Sequence, residues 1–179
     1  MELWPDDTQH RTVLGAIAPL MDGTGDVTTA HVQADEICVR VRGGRVWLAQ
    51  AMEVGTRFWL GGVVAKRRDG LLVRRLLMRV KGAVVTPAFL LLVDGFAPYV
   101  TAARAIFRVP LRTGRVGRPP PGWPAGFLRG PVVKAGLRGG RGIVRRAVVG
   151  TEAAIVARLA ATRSSSERGI EGARWLPKT

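Results

Sequence analysis

The sequence has very few of the residues that form disulfides or bind zinc. Cys38 is its only cysteine, and it contains two histidines. A single cysteine excludes an internal disulfide, and one cysteine with two histidines excludes a zinc finger. Because a chain without disulfides suits a reducing compartment, we expect a cytoplasmic protein.

Long apolar runs are also missing. The longest runs, such as Phe89–Val93, are far shorter than the roughly 20 apolar residues that span a bilayer. The start of the chain carries acids and lacks the basic residues and apolar stretch of a secretion signal. We therefore expect neither a membrane-spanning segment nor a signal peptide.

Acidic residues are scarce relative to basic ones. The 179 residues include 28 Lys and Arg against 13 Asp and Glu, which gives a formal net charge of +15. Most of the excess is arginine, whose planar guanidinium suits bidentate contact with phosphates. Hydrophobic residues make up 47% of the chain, enough for a folded domain with a real core. Nucleic acid is the expected partner, although the arginine bias of a GC-rich genome would give the same charge.

Residues 31–65 have the pattern of three antiparallel strands in meander order. The first strand, His31–Arg42, alternates its side chains and places Asp35 and Glu36 on opposite faces. Glycine-containing turns separate it from two further strands, Val46–Val54 and Arg57–Ala65.

The next segments alternate between helix and strand. Asp69 is a capping residue for a helix that runs to about Val80. The apolar segment Phe89–Asp94 is a strand buried on both faces, and a second helix follows at about Ala97–Phe107. The order β-β-β-α-β-α predicts an α/β fold, in which a mixed sheet carries helices on both faces.

Three segments lie outside this pattern. Residues 1–30 form an N-terminal segment of ambiguous structure. Residues 111–150 are predicted to be a basic Gly/Pro-rich insertion in which Val132–Lys134 and Ile143–Val149 form strands, and a short helix capped by Thr151 follows it. Residues 163–179 lack apolar periodicity and are expected to be a disordered tail. The expected domain is therefore residues 31–162.

Two aspartates are the candidate metal ligands. Asp35 lies on a strand face with apolar neighbours, where an unpaired carboxylate is costly to bury. Asp94 ends the buried strand, at the edge where open α/β sheets bind ligands. If the first and fourth strands are neighbours, the carboxylates lie about 5 Å apart, and divalent cations would relieve their repulsion. The alternative is that Asp94 only caps a turn and Asp35 only lies at a strand edge.

Several segments, in order, resemble the catalytic domain of bacterial insertion-sequence transposases of the DDE type. The resemblance covers about residues 31–162, and its segments are Val32–Ile37, Val46–Ala49, Arg57–Val64, Leu92–Tyr99, Phe107–Pro119, Val132–Lys134 and Arg145–Thr151. It implies a ribonuclease-H-like fold and a triad of acids that binds two Mg²⁺ ions. It also implies cleavage and joining of DNA strands at insertion-sequence ends.

The resemblance implies roles for individual acids. Asp35 matches the first acid and Asp94 the second, both as metal ligands and catalytic residues. Glu36 ranks below Asp35 because strand alternation places it on the opposite face. The family's third acid lies in a pattern like Ile-Glu-Arg-Leu-Asn, which residues 164–179 lack. Glu171, in the only Ile-Glu pair, is the remaining candidate, and we expect a truncated or frameshifted copy.

Basic residues in the predicted insertion are candidates for contact with DNA. They are Arg112, Arg115, Arg118, Lys134 and Arg138. The expected partner is DNA, in a strand-transfer complex that a homo-oligomer would form. Two alternatives stay open: a non-catalytic DNA-binding remnant with the same fold, and a basic RNA-binding structural protein. The RNA-binding alternative predicts that the two aspartates do not cluster.

Overall fold

The computed structural model describes residues 27–111, 114, 116–137, 140–146, 149–162 and 174–176, with only the backbone of residues 131–137, 140–146 and 174–176. The elements in this part of the chain are β1 (His31–Val41), β2 (Gly44–Glu53), β3 (Trp59–Ala65), α1 (Gly70–Ala83), β4 (Leu90–Val93), α2 (Pro98–Phe107), β5 (Val109–Pro110), β6 (Pro121–Gly122), β7 (Leu128–Leu137), β8 (Gly140–Arg146), α3 (Glu152–Thr162) and β9 (Arg174–Leu176).

The core is a mixed sheet with the strand order β3-β2-β1-β4-β7, extended by β8 and β9. The β1–β2 and β2–β3 pairs are antiparallel, whereas β1–β4 and β4–β7 are parallel. An antiparallel meander joined through its first strand to parallel strands is the topology of a ribonuclease-H-like sheet. The predicted fold class is confirmed, as is the three-strand meander.

The long β1–β2 hairpin follows from its turn residues and its alternating pattern. Gly43 has a φ of 94°, in the left-handed region that favours glycine, and lies where the chain reverses. The register then pairs Val41 with Gly44 at the turn and Asp35 with Gln50 further back.

Helix α1 begins where the sequence predicts. The carboxylate of Asp69 accepts hydrogen bonds from the backbone N–H groups of Leu71 (3.1 Å) and Leu72 (3.0 Å), so it caps the first turn. The apolar positions of the helix are buried against the sheet: Leu72, Val73, Leu76, Leu77 and Val80. The helix runs three residues past the predicted end, to Ala83.

Helices cover both faces of the central strands. All four residues of β4 are buried. On one face its Leu91 and Val93 lie in the same apolar cluster as α1 and α2. On the other face Leu90 and Leu92 pack with Ile155 and Leu159 of α3. The N–H of Ala154 donates to Thr151 Oγ1 (3.1 Å), which agrees with the predicted cap of α3.

Two segments contain strands beyond the predicted β-β-β-α-β-α core. β7 pairs in parallel with β4, so part of the predicted insertion 111–150 is a core strand. The short β5–β6 hairpin precedes it. In the tail expected to be disordered, Arg174–Leu176 forms β9 beside β8. The predicted strand Val132–Lys134 lies within β7, whereas the first residues of β7 lack the apolar run of β4 and are extended by their pairing with it.

No helix in the described part of the chain is long and apolar enough to cross a membrane.

Candidate metal site

The acidic site lies where β1 and β4 reach the same edge of the sheet. The two strands run in parallel, and their last paired residues are Ala34 and Val93. Asp35 and Asp94 each follow immediately, so the sheet carries them to neighbouring positions at its carboxyl edge. The condition set by the sequence, that the first and fourth strands are neighbours, is confirmed.

Three carboxylates cluster at this edge. Asp35, Glu36 and Asp94 each offer one oxygen, and these oxygens all lie within 4.8 Å of one another. Asp35 is exposed, Glu36 is buried and Asp94 is half-buried. Such a group of oxygen ligands could hold a divalent metal ion.

Glu36 takes part in the cluster although strand alternation places it on the opposite face from Asp35. Its side chain is 0% exposed. Its Oε2 is bonded to Arg68, whereas its buried Oε1 has no hydrogen-bond partner. Glu36 thus belongs to the cluster together with the two aspartates, although the sequence ranks it below Asp35.

Arg68 links two of the carboxylates. Its Nη2 donates to Glu36 Oε2 (2.8 Å) and to Asp94 Oδ2 (2.7 Å), and its Nε donates to Glu36 Oε2 (3.1 Å). Arg68 thus places one positive charge between Glu36 and Asp94.

Aromatic rings hold the Arg68 guanidinium in this position. Its Cζ lies 4.0 Å from the centroid of the Phe96 ring and 5.4 Å from that of the Trp47 ring. Burial lowers the pKa of Arg68, but its bonds and charge interactions with Glu36, followed by those with Asp94, outweigh burial and raise the pKa. The guanidinium is therefore a permanent charge in the site.

Tyr99 of α2 lies beneath the cluster. The residue is fully buried, as the sequence predicts for the sheet-facing side of this helix. Burial, and then the Glu36 carboxylate, raise the pKa of the phenol. Its Oη has no hydrogen bond of ordinary geometry, like Oε1 of Glu36. The Tyr99 phenol and the Glu36 carboxylate thus interact in the interior beside the cluster.

The remaining carboxylate oxygens also bind backbone groups. The N–H of Phe96 donates to Asp94 Oδ1 (2.8 Å), and the N–H of Glu36 donates to Asp35 Oδ1 (2.8 Å). Asp94 therefore caps the turn after β4, as the structural alternative proposed, and also lies in the acidic cluster. The two readings of Asp94 do not exclude one another.

The acids open onto a cleft of about 860 Å³. Asp35 and Asp94 line it together with Gln50, Met52 and Arg68. The cleft lies on the side of β1 and β2 that carries Gln33 and Asp35. It is the entrance through which a ligand would reach the carboxylates.

The donor set fits a magnesium ion. Asp35, Glu36 and Asp94 would hold the ion, and each would supply one carboxylate oxygen. All three are hard oxygen ligands, which Mg²⁺ prefers. The Arg68 guanidinium, however, already bonds one oxygen of Glu36 and one oxygen of Asp94.

Most of the other predicted site residues have side chains outside the part of the chain that the structure describes. Glu171, Arg112, Arg115 and Arg138 lie outside the described residues. Lys134 lies on β7, where only the backbone is described. Arg118 is exposed on the loop between β5 and β6. The proposed roles of all these residues stay predictions.

Arg129 on β7 is a second buried basic residue, which the sequence did not single out. It is 2% exposed, and its Nε and Nη1 have no hydrogen-bond partner. Burial, and then repulsion from Arg104, lower its pKa to about 10. It does not line the acidic cleft.

Sequence reasoning missed Arg68, although a signal for it existed. In the predicted meander β3 runs in the same direction as β1, so its end lies at the same edge as Asp35. The basic run Lys66-Arg67-Arg68 directly follows that strand and precedes the Asp69 cap. This order predicts a basic side chain near the acidic edge. It does not predict that Arg68 bonds to Glu36.

Comparison with known proteins gives limited information. No protein-family model and no curated protein matches the chain. Among solved structures, the crystal structure of endonuclease V from Bacillus subtilis is similar over 75% of this chain and 59% of that chain, at 10% identity and a TM-score of 0.30. This chain thus covers less than two thirds of that protein. So low a score carries no argument about function, and the resemblance to transposases stays a prediction.

Proposed function

We propose that this protein cleaves and transfers DNA strands with divalent metal ions, as the resemblance to insertion-sequence transposases implies. The observation that carries the proposal is the cluster of Asp35, Glu36 and Asp94 at the carboxyl edge of two parallel strands, within 4.8 Å and open to a cleft. Carboxylates so close repel one another, and a bound cation relieves that repulsion.

Each acid has a part in this proposal. Asp35 and Asp94 bind Mg²⁺, and Glu36 adds a third carboxylate. Glu36 thus takes the place of the family's third acid, whose pattern residues 164–179 lack. When bound, the metal activates the attacking oxygen and stabilises the leaving oxygen of a phosphodiester. The net charge of +15 favours DNA as the substrate, through arginine contacts with its phosphates.

The second candidate is a DNA-binding protein with the same fold that does not cleave. It is favoured by Arg68, which already neutralises part of the charge of Glu36 and Asp94. The RNA-binding structural alternative is disfavoured, because it predicted that the two aspartates would lie apart.

Strand cleavage of a labelled DNA duplex in Mg²⁺ or Mn²⁺ tests the proposal. Asp94→Asn keeps an oxygen acceptor for the N–H of Phe96. We expect its cleavage rate to fall by more than the roughly 10–100-fold that changes to outer-shell residues cost at metal sites. The matched control is Glu152→Gln, which removes one exposed acid from the first turn of α3.

Equal cleavage by Asp94→Asn and the wild type would remove Asp94 from the reaction. Binding of DNA by the wild type without any cleavage in either metal would support the non-catalytic candidate instead.

A further inference from the structure

The β1–β2 hairpin continues beyond the sheet at the acidic edge. β1 pairs with β4 only over His31–Ala34, and β2 pairs with β3 only from Trp47 onwards. Residues 39–46 therefore pair only with each other, as a two-stranded ribbon, which we call the arginine ribbon. β1 passes Asp35 at the acidic edge and then enters the ribbon. The ribbon therefore starts near the acids and projects outward from that edge of the sheet.

The arginine ribbon has an unfavourable charge arrangement. Arg40 lies directly opposite Arg45 in the register, and Arg42 adjoins the turn. All three are exposed, and residues 37–46 contain no acid. Their guanidinium groups form no ion pair with any described residue. Like charges directly opposite each other destabilise a pair of strands, so nothing in the described part of the chain compensates for this arrangement.

The position of the arginines suits a long polyanion. Arg40 is five residues beyond Asp35, which corresponds to roughly 17 Å along a strand. A DNA duplex carries about ten phosphates over that length, since it has one charge per about 1.7 Å of axis. A duplex that lies along the ribbon therefore presents several phosphates to the face that carries Arg40 and Arg45, which strand alternation sets opposite Asp35.

We propose that the arginine ribbon binds the phosphate backbone of duplex DNA beside the acidic edge. Arg40 and Arg45 contact phosphates at the same level of the hairpin, and Arg42 contacts the backbone beyond them. The choice of duplex DNA rests on the proposed function. The binding itself does not require cleavage.

The salt dependence of DNA binding tests the ribbon. Fluorescence anisotropy with a labelled duplex, in EDTA and over a series of NaCl concentrations, gives the slope of log K against log salt. For Arg40→Gln/Arg45→Gln we expect the slope to become shallower by about 1.8, because each phosphate contact contributes about 0.9.

The control variant Arg74→Gln/Arg75→Gln removes the same charge from the exposed side of α1. We expect its slope to stay close to that of the wild type. A second variant, Arg40→Lys/Arg45→Lys, keeps the charge and should keep the slope, which separates charge from damage to the hairpin. The proposal would be overturned if the ribbon variant had the same salt slope as the wild type. It would also be overturned if the salt slope became shallower by the same amount in the ribbon and control variants.

The outcomes separate this inference from the proposed function. If the wild type does not cleave DNA but the ribbon variant has a shallower salt slope, the ribbon proposal is supported and the catalytic proposal is wrong. If cleavage depends on Asp94 while the ribbon variant has the salt slope of the wild type, the catalytic proposal is supported and the ribbon proposal is wrong.

Discussion

Arg68 changes the character of the acidic cluster at the scale of single residues. Without it, three carboxylates would lie together with nothing but backbone groups to compensate their charge. Its guanidinium neutralises one charge and leaves two, which is the charge of one divalent cation. Because the guanidinium is tethered to the chain, it binds Glu36 and Asp94 without the loss of translational freedom that a dissolved ion pays.

We expect Arg68→Gln to bind Mg²⁺ and Mn²⁺ at least about tenfold more tightly than the wild type, a change of about 1.4 kcal/mol. The substitution removes a positive charge that repels the incoming ion and keeps a donor for Glu36. Isothermal titration of each metal measures the affinity. The matched control is Arg67→Gln, which removes the same charge from an exposed neighbour.

Weaker metal binding in Arg68→Gln than in the wild type would show that Arg68 supports the ligands and does not compete with the ion. Thermal unfolding of both variants should accompany the titrations, since Glu36 is buried and depends on Arg68 for its ion pair.

At the scale of elements, the start of α1 determines where Arg68 lies. Asp69 caps the helix with its side chain, and Arg68 is the residue before it. The cap therefore sets the point at which the chain leaves β3 and enters the helix. A weaker cap would loosen the segment that holds the guanidinium over the acids.

Asp69→Ala should lower the free energy of unfolding by about 1 kcal/mol, because two N–H groups of the first turn lose their acceptor. Asp69→Asn should stay close to the wild type, since asparagine caps equally well. Urea denaturation of the three proteins gives the values. A loss in Asp69→Asn as large as that in Asp69→Ala would assign the effect to charge and not to capping.

Local patterns were sufficient for some elements and insufficient for others. The meander, α1, β4 and α2 have strong apolar periodicity or clear caps, and the sequence predicted each within a few residues. β7 begins with Leu-Arg-Gly-Pro, which no local rule favours as a central strand. Its place beside β4 depends on the burial of Leu90, Leu92 and Leu128 under α3.

At the scale of the whole molecule, the charge of +15 acts on stability as well as on binding. Like charges distributed over a compact surface repel one another, and unfolding relieves that repulsion. The sequence predicts this effect directly, since it depends on totals more than on positions.

We expect the melting temperature to rise by a few degrees as NaCl increases from low concentration to about 0.2 M, where the Debye length falls to roughly 8 Å or less. For a chain of this size about 1 kcal/mol corresponds to roughly 2–4 °C. Differential scanning calorimetry without nucleic acid measures the change, and equal additions of a neutral osmolyte serve as the control. A melting temperature that falls with NaCl would mean that ion pairs dominate over the net repulsion.

The sequence by itself determined the fold class, the meander, the first two helices, and Asp35 and Asp94 as the residues to examine. Each of these depends on interactions between residues close in the chain, such as alternation, helical spacing and caps. The tertiary structure decided what surrounds the aspartates. Glu36, Arg68, Phe96 and Tyr99 reach one point only after three strands and a helix have packed together, because charge compensation and burial depend on distances in space that sequence separation does not encode.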